Sequence, residues 1–156
     1  MDLPESWNAF STEHLSHRLL LLAKMIDRDT ARMLGEEFGI SLAEWRVMAF
    51  IGISGPCTAS MIGRAAEIDR AEISRAVGKL EDAKFVSREA DKNHKRRFIL
   101  NLTAHGTGMF ETIREKRREY LQAILEDIGV EQQELLGTVL DQIVRNVLIQ
   151  RERRAE

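Results

Sequence analysis

The chain has 156 residues, 44% of them hydrophobic and 31% charged, which is enough apolar material for one folded domain. It has no run of about 18 apolar residues and no basic, apolar leader at Met1–Glu5, which argues against a transmembrane helix and a signal peptide. With one cysteine, Cys57, it is expected in the reducing cytoplasm. The net charge of −2 gives no indication of nucleic-acid binding, but residues 58–100 hold ten Lys/Arg against seven Asp/Glu. This segment is therefore basic while the rest of the chain is acidic, an arrangement suited to binding phosphate groups.

Apolar residues at helical spacing predict a first helix over residues 11–37, which ends at Gly39. Ser41 and Glu44 form the capping-box pattern, because the serine hydroxyl and the glutamate carboxylate can each bond the other residue's amide. They predict the start of a second helix, which ends near the Ser-Gly-Pro of residues 54–56. Thr58 is then predicted to cap a short third helix.

Asp69 is predicted to cap a fourth helix over residues 70–83, close behind the third, and the pair forms a helix-turn-helix pattern. The period of the apolar residues then changes. Residues 85–88 and 98–103 alternate in the manner of strands, and the polar, basic residues 91–95 lie between them. This part of the chain is predicted to form a β-hairpin with a basic tip, a wing.

Long helices are predicted on both sides of this region. Thr103 begins a helix to about Ile128, Gly129 breaks it, and a last helix covers residues 131–151. The apolar faces of the terminal helices are wide for a chain of this size, which favours a two-fold homodimer over packing within one chain. The predicted dimer residues are Leu15, Leu19, Leu136, Leu140, Ile143 and Val147.

The predicted fold is mainly α with a small β-hairpin wing, in one unit over residues 1–156. A winged helix-turn-helix lobe at about 40–103 is flanked by dimerisation helices at about 11–37 and 103–151. A helix with one apolar and one polar face can enter the major groove of DNA, and a basic hairpin can reach the minor groove. The predicted DNA-binding residues are Arg70, Glu72, Ser74, Arg75, Lys79, Lys95, Arg96 and Arg97.

Other interpretations remain open at this stage. Each of these charges can be an ordinary solvated residue, and the winged helix can instead bind protein or RNA. No nucleophile, phosphate loop or zinc motif is present, so we expect neither an enzyme nor a cofactor. His14 and His17 lie three residues apart but lack further ligands, so no metal site is expected. Cys57 is a candidate redox sensor or, more simply, a small core residue.

Several segments together resemble the MarR family of bacterial transcriptional regulators: residues 41–48 (SLAEWRVM), 55–58 (GPCT) and 69–77 (DRAEISRAV), then Leu80-Glu81, Arg96, Leu102-Thr103 and Gly106. The resemblance implies a triangular dimer that binds a palindromic operator in double-stranded DNA. It implies a repressor of nearby genes that is released by a small aromatic or phenolic effector, or by oxidation. Arg70, Ser74 and Arg75 match groove-facing positions of the recognition helix, and Arg96 matches the wing arginine.

The predicted effector pocket lies between the dimerisation helices and the DNA-binding lobe, with His17, Trp45 and Met48 as candidate lining residues. Trp45 and Met48 can equally be core residues of the second helix. The sequence departs from the family at three positions. His94 stands where the family usually has the aspartate that braces the wing, and Asp91 is a candidate substitute. Glu67 and Lys84 stand where glycine is common.

Overall fold

The structure, a computed structural model, describes residues 3–4, 7, 14–66, 68–91 and 97–155. Within these ranges the elements are α1 (Leu15–Met33), α2 (Leu42–Ser54), α3 (Ala59–Ala66), α4 (Arg70–Asp82), β1 (Val86–Ala90), β2 (Phe98–Leu102), α5 (Ala104–Ile124) and α6 (Val130–Ala155). The predicted fold class, mainly α with one antiparallel hairpin, is confirmed. Residues 1–115 and 116–156 form two compact units. The organisation as a single unit over 1–156 stays a prediction.

The end of α1 departs from a regular helix. It passes directly into a π-helical segment, Leu34–Phe38, and the chain then turns at Gly39. Gly39 has a φ of +66°, in the left-handed region that glycine adopts without steric cost. The predicted stop at Gly39 is confirmed, whereas the π-helical segment was not predicted. Residues 11–13, where the helix was predicted to begin, lie outside the described residues.

The predicted helix caps are present in the structure. The Ser41 hydroxyl accepts a hydrogen bond from the Glu44 amide at 3.2 Å, and the Glu44 carboxylate accepts one from the Ser41 amide at 3.0 Å. The Thr58 hydroxyl accepts one from the amide of Met61 at 3.3 Å. The Asp69 carboxylate accepts hydrogen bonds from the first turn of α4, at 2.7 and 2.9 Å. Each cap satisfies amides that a helix start leaves without a partner, and so fixes where α2, α3 and α4 begin.

The hairpin pairs β1 with β2 in the antiparallel register Val86 opposite Leu102 through Ala90 opposite Phe98. Its first strand begins one residue later than predicted and extends to Ala90. Cys57, just before α3, forms a bridge with Leu100 through hydrogen bonds of 3.2 and 2.8 Å between their backbones. The chain before α3 is thereby attached to the edge of β2. The tip predicted at residues 91–95 falls largely in residues 92–96, outside the described residues.

The core of the first unit lies between α2, α4, the hairpin and the start of α5. Its buried members come from these elements, from α3, from the π-helical segment after α1 and from the connections between them: Leu34, Ile40, Trp45, Val47, Met48, Ile51, Cys57, Ile62, Ile73, Ala76, Val77, Leu80, Phe85, Val86, Leu100, Phe110 and Ile113. The helix-turn-helix and the wing therefore share one core and are positioned together.

The second unit contains the end of α5 and all of α6. Helix α5 ends at Ile124, four residues before the predicted end, and a turn leads to Gly129. The side chain of Gln133 donates a hydrogen bond to the Ile128 carbonyl at 2.8 Å, and the Gly129 amide donates to Gln132 at 3.1 Å. These hydrogen bonds stabilise the turn and the first turn of α6. Among the described residues, no helix is both long and apolar enough to cross a membrane.

Candidate nucleic-acid interface

Helix α4 has one buried and one exposed face. Ile73, Ala76, Val77 and Leu80 are buried in the core. On the other side Arg70, Ser74 and Arg75 are exposed, and Glu72 is half-buried on the edge of this face. Arg75 lies near the middle of the exposed face, because it is about half a helical turn away from Val77 and Ile73. The face of α4 that was predicted to meet DNA is thus free of the core.

Lys79 lies on one flank of this exposed face and is engaged within the protein. Its ammonium nitrogen is 3.3 Å from a carboxylate oxygen of Glu44, near the start of α2. The Lys79 side chain is 71% exposed, whereas that of Glu44 is only 7% exposed. The sequence analysis assigned Glu44 to the helix cap and Lys79 to DNA. It missed their pairing, because the two residues are 35 positions apart and nothing local indicates their proximity.

The other flank of α4 carries a second ion pair. Glu81 contacts the guanidinium of Arg88, on β1, at 2.7 Å. The Arg88 guanidinium also lies over the ring of Phe98 in β2, 5.4 Å from its centre. Arg88 therefore links α4 to both strands of the hairpin, although the sequence analysis gave it no role. The strand register places Arg88 opposite Leu100, two residues from Phe98.

The base of the wing is closed by a backbone hydrogen bond of 2.9 Å from the Asp91 amide to the Arg97 carbonyl. Arg97 is exposed immediately before β2. The other two predicted wing residues, Lys95 and Arg96, lie outside the described residues, as does His94. The bracing of the wing by the Asp91 side chain stays a prediction.

A tight junction joins the end of α4, the hairpin and α5. Lys84 has a φ of +59°, in the left-handed region that glycine adopts more readily than lysine. The Thr103 hydroxyl donates a hydrogen bond to the Lys84 carbonyl at 2.7 Å and accepts one from the Gly106 amide at 2.9 Å. Gly106 is packed so closely that an added Cβ would lie 1.9 Å from the Phe85 carbonyl oxygen.

The candidate effector residues differ in their surroundings. Trp45 is buried and stacked on Phe110, with ring centres 5.8 Å apart, and Met48 is fully buried. His17 is half-buried on α1. An open cavity of about 470 Å³ lies elsewhere in the first unit; it is lined by Phe38, Ala104, His105, Gly108, Met109 and Thr112. The location of an effector site stays a prediction.

Cys57 is almost completely buried, and this burial raises the pKa of its thiol. A buried thiol with a raised pKa forms little of the reactive thiolate, so the geometry favours the core interpretation over the redox sensor. Among the described residues, no group of three or more His, Cys, Asp and Glu side chains converges as a metal site.

The predicted dimer residues are largely exposed in the single chain. Leu15 on α1 and Leu136, Leu140 and Val147 on α6 are exposed, while Leu19 and Ile143 are half-exposed. Helix α6 also exposes further apolar side chains: Val130, Leu135, Val139, Val144, Leu148 and Ile149. Such wide exposed apolar surfaces are typical of protein–protein contacts.

Comparison with known proteins gives a consistent result. A family model described as the MarR family matches residues 38–97, which include the capped helices α2 to α4 and the first strand of the hairpin. The HTH-type transcriptional regulator FarR of Neisseria gonorrhoeae is 28% identical over 114 residues, which is 73% of this chain and 78% of FarR. The regulator YwoH of Bacillus subtilis is 23% identical over 81% of this chain and 90% of its own length.

Solved structures extend the similarity to nearly the whole chain. A MarR/EmrR family transcriptional regulator from Acinetobacter sp. ADP1 superposes with a TM-score of 0.78 at 25% identity, over 88% of this chain and 96% of that one. The S. aureus MepR–DNA complex gives a TM-score of 0.75 at 19% identity, over 88% and 99%. The fold, the capped helix-turn-helix and the matched segment agree, and residues 38–97 of this chain match the MarR family of winged helix-turn-helix transcriptional regulators.

Proposed function

We propose that this protein binds a palindromic operator in double-stranded DNA as a homodimer, with α4 in the major groove and the hairpin at the minor groove. The observation that carries this proposal is the exposed face of α4, with Arg75 near its middle and its opposite face buried in the core. A helix that is held by its buried face presents its polar face at a fixed angle, which base recognition requires. The similarity of this chain to MepR, whose structure was solved in complex with DNA, supports DNA as the partner.

Arg75 and Arg70 are assigned different roles within this interface. Arg75 lies one turn into α4, where a guanidinium can bond a guanine edge through two hydrogen bonds. Arg70 is the first residue of α4, after the Asp69 cap. At that position the positive end of the helix dipole also attracts phosphate. We therefore assign base discrimination to Arg75, with Ser74 and Glu72 as neighbours, and phosphate contact to Arg70.

The wing is assigned to the DNA backbone and the minor groove. Arg97 is exposed at the base of the hairpin, and Lys95 and Arg96 precede it in the sequence. Guanidinium groups favour narrow minor grooves because negative potential is concentrated there. These contacts add affinity for any duplex, whereas α4 distinguishes one sequence from another.

The exposed apolar residues of α1 and α6 support the homodimer, whose two copies of α4 would recognise two half-sites. We propose further that the protein is a cytoplasmic repressor, released from DNA by a small aromatic or phenolic effector. Release by an effector is typical of the family. Members of this family are transcriptional regulators and not enzymes.

The test begins by sequencing the DNA fragments that the protein retains from a random duplex library. Wild type, Arg75→Ala and Arg70→Ala are then titrated against the selected duplex and a scrambled duplex at one salt concentration. Arg75→Ala is expected to lose about 1–3 kcal/mol on the selected duplex and little on the scrambled one. Arg70→Ala is expected to lose a similar amount on both.

Arg28→Ala is the matched control, because Arg28 is an exposed arginine on α1, outside α4 and the wing. Equal losses on both duplexes for Arg75→Ala would make Arg75 a phosphate anchor and leave Ser74 and Glu72 as the candidates for base recognition. A wild-type protein without preference for any duplex, but with tight binding to RNA or to a protein, would instead favour a winged-helix interaction module.

A further inference from the structure

Lys79 occupies a position from which a cation would reach DNA. It lies four residues after Arg75, and side chains four apart are neighbours on a helix surface, with Cβ atoms about 5–6 Å apart. If Arg75 enters the groove, Lys79 is close to the adjoining phosphates. Its ammonium group nevertheless points to Glu44, 3.3 Å away.

Glu44 has a strong electrostatic reason to retain this lysine. Its carboxylate is buried, with 7% of the side chain exposed. One oxygen accepts a hydrogen bond from the Ser41 amide at 3.0 Å, and the other oxygen faces the Lys79 ammonium group. A buried carboxylate without a charged partner is costly, because desolvation penalises the ionised form. A phosphate that competes for Lys79 must therefore leave Glu44 with the Ser41 amide as its partner.

Arg75 provides the contrast on the same helix. It is exposed, and within the described part of the chain no hydrogen bond or ion pair occupies its guanidinium. Arg75 on the exposed side of α4 is thus free to meet DNA, whereas Lys79 is restrained by the helix-turn-helix itself.

We propose that Glu44 withholds Lys79 from the DNA backbone and so lowers the affinity of the protein for DNA of any sequence. Glu44 is then a positioning residue that acts through Lys79, and Lys79 is not one of the phosphate contacts in the wild-type complex. This inference rests on the proposed function, since it assumes that α4 faces DNA.

The test is the salt dependence of binding to a scrambled duplex, which measures the number of phosphate contacts at about 0.9 units of logarithmic slope for each contact. The principal variant is Glu44→Gln. The amide oxygen of the glutamine can still accept a hydrogen bond from the Ser41 amide, so the capping box is retained. The negative charge that holds Lys79 is removed. The slope is expected to steepen by about 0.9, which corresponds to about eightfold tighter binding at 0.1 M salt.

Two further variants separate this effect from a general change in charge. Glu36→Gln removes one exposed carboxylate in the π-helical segment, outside the interface, and is expected to change the slope by less than about 0.3. The double variant Glu44→Gln/Lys79→Ala is expected to return to about the wild-type slope, because the lysine that Glu44→Gln releases is absent.

The proposal is overturned if Glu44→Gln has the wild-type slope, or if its gain persists in the double variant. Circular dichroism checks that Glu44→Gln is folded. If it is not, Lys79→Ala alone decides: a slope about 0.9 shallower than wild type overturns the proposal, and an unchanged slope supports it. A wild-type protein that binds no duplex would refute the proposed function itself, and this inference would fall with it.

Discussion

Replacing Gly106 by alanine should break the junction between the wing and α5. The added Cβ would lie 1.9 Å from the Phe85 carbonyl oxygen and 2.8 Å from its carbonyl carbon. Ordinary carbon–oxygen contacts are about 3.3 Å, so the backbones must separate by more than 1 Å. The same Phe85 carbonyl accepts the Thr103 amide at 3.0 Å, and the separation would break this bond as well. We expect Gly106→Ala to destabilise the fold by about 3 kcal/mol.

Gly108 gives a matched control two residues along the same helix. A Cβ added there meets nothing within 4 Å, so Gly108→Ala should stabilise the protein by about 0.5–1 kcal/mol through helix propensity. The assay is urea unfolding followed by circular dichroism, at one protein concentration because the stability of a dimer depends on concentration. If Gly106→Ala were as stable as Gly108→Ala, the inferred close packing against Phe85 would be refuted.

Two further predictions concern the dimer and the end of α4. Leu140→Glu should sediment as a monomer at micromolar concentration and lose tight operator binding. The control Gln142→Glu adds the same charge elsewhere on α6 and should remain a dimer that binds the operator. A wild-type protein that sediments as a monomer would contradict this prediction. Lys84→Gly should raise the free energy of unfolding by about 0.5–1 kcal/mol, because relief of the left-handed conformation exceeds the added freedom of the unfolded chain. Lys84→Ala keeps the strain and should show no gain; equal stability of all three proteins would argue against strain at this position.

The features that the sequence predicted well depend on local chemistry. The caps at Ser41, Thr58 and Asp69 each involve residues two or three positions apart, so the sequence alone contains both members of each bond. The buried residues of α4 follow from helical spacing, and the hairpin follows from alternation. These signals do not depend on how distant parts of the chain pack, which is why the element order was predicted correctly.

The features that the sequence missed depend on how the helices and strands pack in three dimensions. The pairs Lys79–Glu44 and Arg88–Glu81 arise from the packing of α4 against α2 and from the register of β1. Spacing along the sequence gives no information on either. The result matters for the interface, because a lysine on the polar face of α4 has the same sequence signature whether it contacts phosphate or a buried carboxylate.

The apolar face of α6 illustrates a different limit. Its apolar residues recur on two adjacent stripes, and none of residues 130–154, whose burial is described, is buried in the single chain. The pattern therefore predicts that a surface must be covered, but periodicity is the same whether the cover is another helix of the chain or a second copy. A two-stranded coiled coil needs only one narrow stripe, so the breadth of this face favours contact with more than one helix. A symmetric partner that supplies its own α1 and α6 would meet that requirement, and the Leu140→Glu experiment tests it directly.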